Sequence, residues 1–217
     1  MTRTLVLLRH GQTAWNAEGR AQGHTDVPLD EVGRAQAAAV APVIAELLPV
    51  FVRSSDLARA AQTAEVVAMA CGLPVVHDER LREYDVGERA GLTIAEFAAA
   101  YPEAHARWAM SGGLFENADS VAGAESTADV LGRVLPSLRS AMSCLAPGET
   151  GVVVGHGAAL RVALVALLGW DSSAGATLRG LDNCGWAVID AGAVDGMPRL
   201  MAYNRLAPDF TSAGAVG

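Results

Sequence analysis

Six short apolar runs punctuate the chain: Leu5-Val6-Leu7-Leu8, Val50-Phe51-Val52, Pro74-Val75-Val76, Gly151-Val152-Val153-Val154, Trp186-Ala187-Val188-Ile189 and the stretch from Leu200 to Tyr203. Runs of this length, bounded by turn residues, predict strands, and the first, second and fourth read as buried ones. Between them the apolar spacing changes to that of helices. Leu29-Asp30-Glu31-Val32-Gly33 opens an alanine-rich helix reaching about Leu48, with its acids at the N-terminal end, and Pro42 is expected to kink or split it. Leu57, Ala61, Ala64, Val67 and Ala68 place a helix over 57–71, stopped by Gly72. Thr93 with Glu96 forms a capping-box pair ahead of a helix reaching about Met110. Helices are further expected over about 125–145, despite Pro136, and over 158–168.

Strands alternating with helices imply βαβ units and a mostly parallel sheet. The alternation breaks between about Leu92 and Ala124, which reads as a helical excursion over the sheet edge or a small cap. Residues 11–28 read as a polar loop, and the small, polar residues from about 211 as a mobile tail. The strand at Trp186–Ile189 is either an edge available for dimerisation or an ordinary buried strand.

With 217 residues the chain fits one domain, and 51% hydrophobic against 18% charged residues is a globular composition. No apolar stretch approaches the roughly 18 residues that span a bilayer, and the N-terminus lacks the pattern of a secretory signal. No membrane association is expected. Cys71, Cys144 and Cys184 are odd in number and widely spaced, so each is expected to be a small buried hydrophobe in a reducing, cytoplasmic setting. A net charge of -8 argues against a nucleic-acid partner. Any anionic ligand must therefore be drawn by a local concentration of cations.

The three strongest strands each end in a polar cluster: Arg9-His10-Gly11, Ser54-Ser55-Asp56 with Arg59 in the next turn, and Gly155-His156-Gly157. Taken singly, His10 is as well explained as a structural histidine at a strand end as by chemistry. In a parallel sheet, however, all three clusters share one edge, and ligands of open α/β sheets bind outside the carboxyl ends of the strands. Two histidines and two arginines would converge there. Arginine offers a planar fork of donors to phosphate or carboxylate, and a neutral imidazole is a competent nucleophile toward phosphorus. No nucleophile elbow, phosphate loop or zinc helix competes with this reading. Arginines beside the histidines also oppose a metal cation, so neither metal nor cofactor is expected.

These residues belong to an ordered series. Leu8-Arg9-His10-Gly11-Gln12-Thr13 with Asn16 is followed by Gln22-Gly23-His24-Thr25-Asp26-Val27-Pro28-Leu29, then Gly33 and Gln36. Ser54-Ser55-Asp56-Leu57-Ala58-Arg59-Ala60 with Thr63, Leu81-Arg82-Glu83, Gly91-Leu92-Thr93, Gly123-Ala124-Glu125-Ser126 and Gly155-His156-Gly157 complete it. In this order the chain resembles the histidine phosphatase superfamily, in its phosphoglycerate-mutase-like branch. The resemblance implies a three-layer α/β/α fold with a mostly parallel sheet. It implies one domain over 1–210, a helical cap-like insertion at about 92–124, and a flexible tail at 211–217. It also implies roles: His10 the nucleophile that becomes phosphohistidine; Arg9, Arg59 and His156 holding the phosphoryl oxygens, with Asn16, Gln22 and Gly157 at the same pocket; Glu83 the general acid and then the base that activates water. The partner would be a small phosphorylated metabolite.

Relatives of this type often carry an aromatic-acid-glycine run after the Leu-Arg-Glu motif. Here the run is Gly87-Glu88-Arg89-Ala90-Gly91, which leaves Glu83 as the preferred acid and Glu88 as a lesser candidate. His24 is read as a loop filler, His77 and His105 as structural or exposed, and Arg82 and Arg161 as ion-pair residues. Between Arg89 and Gly123 only Arg89 and Arg107 are lasting cations, so a second anion site is not expected. That favours a metal-independent phosphomonoesterase over a phosphomutase. A non-catalytic phospho-ligand binder on the same fold is the remaining alternative. The Leu81-Arg82-Glu83 and Gly91-Leu92-Thr93 context also resembles actinobacterial phosphatases of phosphorylated sugars and glycerates, the glucosyl-phosphoglycerate type among them.

Overall fold

The computed structural model describes residues 2–110, 121–192 and 197–208; the tail expected at 211–217 and much of the 111–123 connector lie outside them. Six strands form one sheet: β1 (Thr4–Arg9), β2 (Pro49–Ser54), β3 (Val75–His77), β4 (Thr150–Gly155), β5 (Trp186–Asp190) and β6 (Arg199–Arg205), in the order β3-β2-β4-β1-β5-β6. The first four are mutually parallel; β5 runs antiparallel to β1, and β6 antiparallel to β5. The strand at 186–190 is thus interior, paired to β1 on one side and β6 on the other, and offers no free edge.

The unbroken apolar character of β1 and β4 follows from cover on both faces. Leu5 and Leu7 of β1 and Val153 of β4 pack on α6 (Thr127–Ser143) and α7 (Gly157–Leu167), through residues such as Val134, Leu138 and Leu164. Val6, Leu8, Val152 and Val154 point the other way, onto α2 (Glu31–Ala45) and α3 (Ala58–Cys71), against Val40, Ile44, Ala64 and Val67. Strand alternation therefore divides one apolar run between two cores, which gives three layers. The β1–β4 register pairs Arg9 with Gly155, so the residues that follow, His10 and His156, leave the sheet side by side.

Several local expectations are corrected. Helix α2 runs unbroken through Pro42, which lies in its exposed last turn; the one hydrogen bond lost there belongs to the exposed Ala38. By contrast, the helix expected over about 125–145 despite Pro136 is found as a continuous α6, with that proline exposed. The helix expected over 93–110 is two: α4 (Ile94–Ala100) and α5 (Pro102–Met110). Pro102 forbids α geometry to the preceding residue, and Tyr101 leaves the helix at φ -134°. Phe97, Ala104 and Val121 form a small core of their own around this pair. The loop at 11–28 contains a one-turn helix, α1 (Ala14–Ala17), closed by a Thr13–Asn16 capping box. A last short helix, α8, spans Ala174–Thr177. Of the cysteines, Cys184 is buried but Cys144 is exposed.

The loop that carries His10 rests directly on the start of α2. A Cβ at Gly33 would lie 2.0 Å from the Gln12 carbonyl oxygen, backbone against backbone. Gly33→Ala should therefore destabilise the fold by about 1–3 kcal/mol, as overpacking against rigid backbone does. Thermal unfolding measures this, and an unchanged melting temperature would contradict the close approach.

Candidate active site

The carboxyl ends of β1, β4 and β2 open into a pocket of about 330 Å³. His10 is buried beneath it at 3% exposure. Its backbone is fixed from both sides: the amide donates to Gly155 O at 3.0 Å, and the carbonyl accepts from Cys184 N and Asn183 Nδ2. The next residue, Gly11, donates its N–H to Thr63 Oγ1. The His10 ring places Nδ1 2.7 Å from Gly11 O. A carbonyl oxygen can only accept, so Nδ1 is the protonated nitrogen and Nε2 keeps its lone pair. Burial, reinforced by Arg59 and Arg9, holds the ring's pKa well below the usual histidine value. His10 is therefore neutral at physiological pH and presents a nucleophilic Nε2.

Arg9 and Arg59 flank the pocket. Arg59, from α3, is 1% exposed and donates to Gly23 O at 2.8 Å and Thr25 O at 3.0 Å. Burial brings its pKa down to about 10, so it stays charged. Arg9 is anchored by donation to Leu181 O at 2.6 Å. The Nε of each is buried without a hydrogen-bond partner. Gly157 opens α7 beside Arg9; a Cβ there would lie 3.3 Å from Arg9 Nε, so the missing side chain lets the guanidinium pass. Cationic groups held by backbone carbonyls are preorganised for an anion.

His156 lies behind this wall and does not line it. It is fully buried, with its ring centroid 5.2 Å from that of His10. Its Nε2 is 2.8 Å from Ser55 Oγ, and its Nδ1 has no partner. Ser55 Oγ also accepts from Leu57 N, which ties the His156 ring to the loop after β2. Burial, then Arg59, lowers this histidine's pKa as well.

Asn16, Gln22 and Glu83 all line the pocket. Asn16 Oδ1 accepts from Thr13 and from Asn183, which leaves its amide Nδ2 as the group to offer a ligand. Gln22 is buried, with Oε1 unpartnered. The Glu83 carboxylate accepts the backbone N–H groups of Tyr84, Ala158 and Ala159, the last two at the N-terminal end of α7. Glu88, the lesser candidate acid, is exposed away from the pocket and accepts from Tyr101 OH at 2.7 Å. His24 is more than filler: its Nε2 donates to Glu83 O at 2.8 Å, and Arg133 Nη2 donates to the same carbonyl at 2.7 Å. Arg82 forms the expected ion pair, with Asp56.

Arg20, Arg89 and Arg161 also line the pocket. Arg20 and Arg161 come from outside the 89–123 segment, to which the count of cations in the sequence is confined. Arg20 reaches from the loop after α1, paired with Glu18 and Glu96, and Arg161 from α7. Five arginines against one carboxylate on the lining supply the local positive field that a chain of net charge -8 otherwise lacks. Trp108 of α5 closes the same wall. Among the described residues no cluster of His, Cys, Asp and Glu is suited to a metal ion, and no helix is long and apolar enough to cross a membrane. Burial pushes the Cys184 thiol up to about 12, so it does not compete with His10 as a nucleophile.

The chain is similar to known proteins over most of its length. The family model for the histidine phosphatase superfamily (branch 1) matches residues 5–204. A glucosyl-3-phosphoglycerate phosphatase of Mycolicibacterium vanbaalenii is 37% identical, over 98% of this chain and 96% of its own length. A probable phosphoglycerate mutase of Cronobacter sakazakii is 36% identical over 86% of this chain and 84% of its own. Among solved structures, a mycobacterial glucosyl-3-phosphoglycerate phosphatase in complex with VO3 superposes with a TM-score of 0.84 at 35% identity, covering 93% of this chain and 99% of that one. The chain belongs to the histidine phosphatase superfamily, branch 1.

Proposed function

We propose that this protein is a phosphomonoesterase of small phosphorylated metabolites, of the sugar-phosphate or phosphoglycerate type, working through a phosphohistidine. The observation that carries this reading is the His10 tautomer: Nδ1 is spent on Gly11 O, so a neutral Nε2 is free for attack between two anchored arginines. In the first step Nε2 attacks phosphorus. The N–P bond forms, the ester P–O bond breaks, and Glu83 gives a proton to the departing oxygen. In the second, Glu83 takes a proton from water, whose oxygen attacks phosphorus; the N–P bond breaks and inorganic phosphate leaves. Phosphoryl transfer needs mainly positioning and charge on the equatorial oxygens, which Arg9, Arg59, the Asn16 amide, Gln22 and Gly157 are placed to supply, while His156 stands behind His10.

The pocket volume lies near the lower end of the roughly 300–1,000 Å³ range of small-molecule sites, which supports a metabolite. We read α4 and α5, the described part of the 92–124 insertion, as a cap that shapes this pocket through Trp108. The odd, dispersed cysteines support a cytoplasmic setting. A phosphomutase is the second reading, favoured by the mutase-named relative and by the additional arginines. A panel of phosphorylated sugars and glyceric acids, assayed for phosphate release, separates the two. Release without added bisphosphate is the expected result; isomerisation that depends on a bisphosphate primer would favour the mutase.

A further inference from the structure

Arg9, His10 and Asn16 are all held by one loop, that between α8 and β5. Leu181 O accepts from Arg9 Nη1 at 2.6 Å. Cys184 N–H and Asn183 Nδ2 donate to His10 O, at 3.2 and 3.1 Å. The same Asn183 amide reaches Asn16 Oδ1 at 3.3 Å. The loop is not relaxed: Cys184, at φ 54°, occupies the left-handed region that non-glycine residues avoid. Such a conformation persists only where its surroundings over-determine it.

The restraint comes from β6. Trp186 pairs with Arg205 and Val188 with Ala202, so β6 carries one extra residue between these pairs, a bulge at Tyr203 and Asn204. Bulges of this kind re-aim side chains. Asn204 takes up the bulge at φ 50°, a backbone that asparagine tolerates better than most residues. Its side chain turns onto the loop and uses both polar ends on one residue. Oδ1 accepts from Asp182 N at 2.8 Å, and Nδ2 donates to Asp182 Oδ2 at 2.9 Å. The approach is close: a Cβ at Gly185 would lie 2.6 Å from Asn204 Oδ1. The other Asp182 oxygen accepts from Arg179 Nη2 at 2.8 Å, and Tyr203 OH donates to Arg179 O. Asp182 also bears on Arg9 through its charge. Burial draws the Arg9 pKa down, and Glu83 and then Asp182 oppose that.

We propose that Asn204 is a positioning residue for phosphoryl transfer: its paired hydrogen bonds to Asp182 lock the 181–185 loop, and through it the Arg9 guanidinium and the His10 backbone, in the geometry that receives a phosphate. The inference rests on the phosphomonoesterase reading above and names a residue that does not itself line the pocket.

Asn204→Asp keeps the size of the side chain but sets a carboxylate against that of Asp182. It should lower kcat/KM for 4-nitrophenyl phosphate and weaken inorganic phosphate binding, read by isothermal titration, each by roughly tenfold or more, the scale on which small displacements of reacting groups act. The double variant Asp182→Asn/Asn204→Asp exchanges donor and acceptor, so that the pair and the bond from Arg179 can re-form. It should bring both quantities to within about threefold of wild type, the coupling expected of residues in direct contact. Asn204→Gly accepts the same φ and deletes both bonds; it should weaken phosphate binding likewise, which keeps the proposal testable if Asn204→Asp does not fold. Wild-type phosphate affinity in a folded single variant, whatever its melting temperature, overturns the proposal, and so does a double variant no better than Asn204→Asp alone. Phosphate binding reads the lock without turnover. Weakened binding that the exchange restores supports it even if no ester is hydrolysed, whereas unchanged binding beside normal hydrolysis overturns it and leaves the phosphomonoesterase reading standing.

Discussion

Replacing His10 with Ala should cut phosphomonoester turnover by roughly 10⁴-fold or more, the scale expected when a covalent nucleophile is deleted. No neighbouring group is placed to take over. His156 stands behind His10 with Nε2 held by Ser55 Oγ, and Cys184 remains a protonated thiol. The fold should survive, because the contacts that fix this segment are backbone ones: His10 N to Gly155 O, Cys184 N to His10 O, and Gly11 N to Thr63 Oγ1. Initial rates with circular dichroism on the same sample measure both. Retention of more than about 1% of the wild-type kcat by a folded variant would remove His10 from the chemistry.

Glu83→Gln should have the second-largest effect, and its size should depend on the leaving group. A general acid contributes roughly 10²–10⁴-fold when the departing oxygen needs a proton. An alkyl phosphate such as glycerol 3-phosphate leaves as a poor alkoxide, so its dephosphorylation should fall by about 10²-fold or more. 4-Nitrophenyl phosphate leaves as a stable phenolate and should lose far less in the phosphorylation step. The carboxylate is positioned for this by the N–H groups of Ala158 and Ala159 on one side and by His24 and Arg133, which hold the Glu83 carbonyl, on the other. Equal losses on the two esters would point to an acid elsewhere on the pocket wall.

The parts of the molecule legible in the sequence are those governed by local patterning. Leu5–Leu8 and Val152–Val154 are apolar without interruption because both faces of the sheet are covered, and the clusters that follow them share an edge because β1, β4 and β2 are parallel neighbours. That is enough to bring Arg9, His10, Arg59 and His156 together. The errors have equally physical causes. Pro42 does not break α2 because it falls in an exposed last turn, whereas Pro102 ends α4 because it constrains Tyr101. The recess of His156 behind the wall was not readable, because it depends on Ser55, 101 residues away. Nor were the anchors of the clamp: Leu181 O, Gly23 O and Thr25 O are backbone carbonyls and leave no trace in residue identity. Arg89 was visible as one of two lasting cations in the 89–123 segment and within the Gly87–Gly91 run. Its setting depends on Phe97 and Trp108, which the helices of the insertion bring over it.

The central claim is that phosphate passes through His10. Rapid mixing with a ³²P-labelled phosphomonoester, followed by quenching in alkali and peptide mapping, tests it directly. An alkali-stable, acid-labile phosphoenzyme should appear on the peptide containing His10, decay at a rate compatible with kcat, and be absent from His10→Ala. Steady turnover with no labelled protein at any quench time, or label on a peptide other than that of His10, would contradict it.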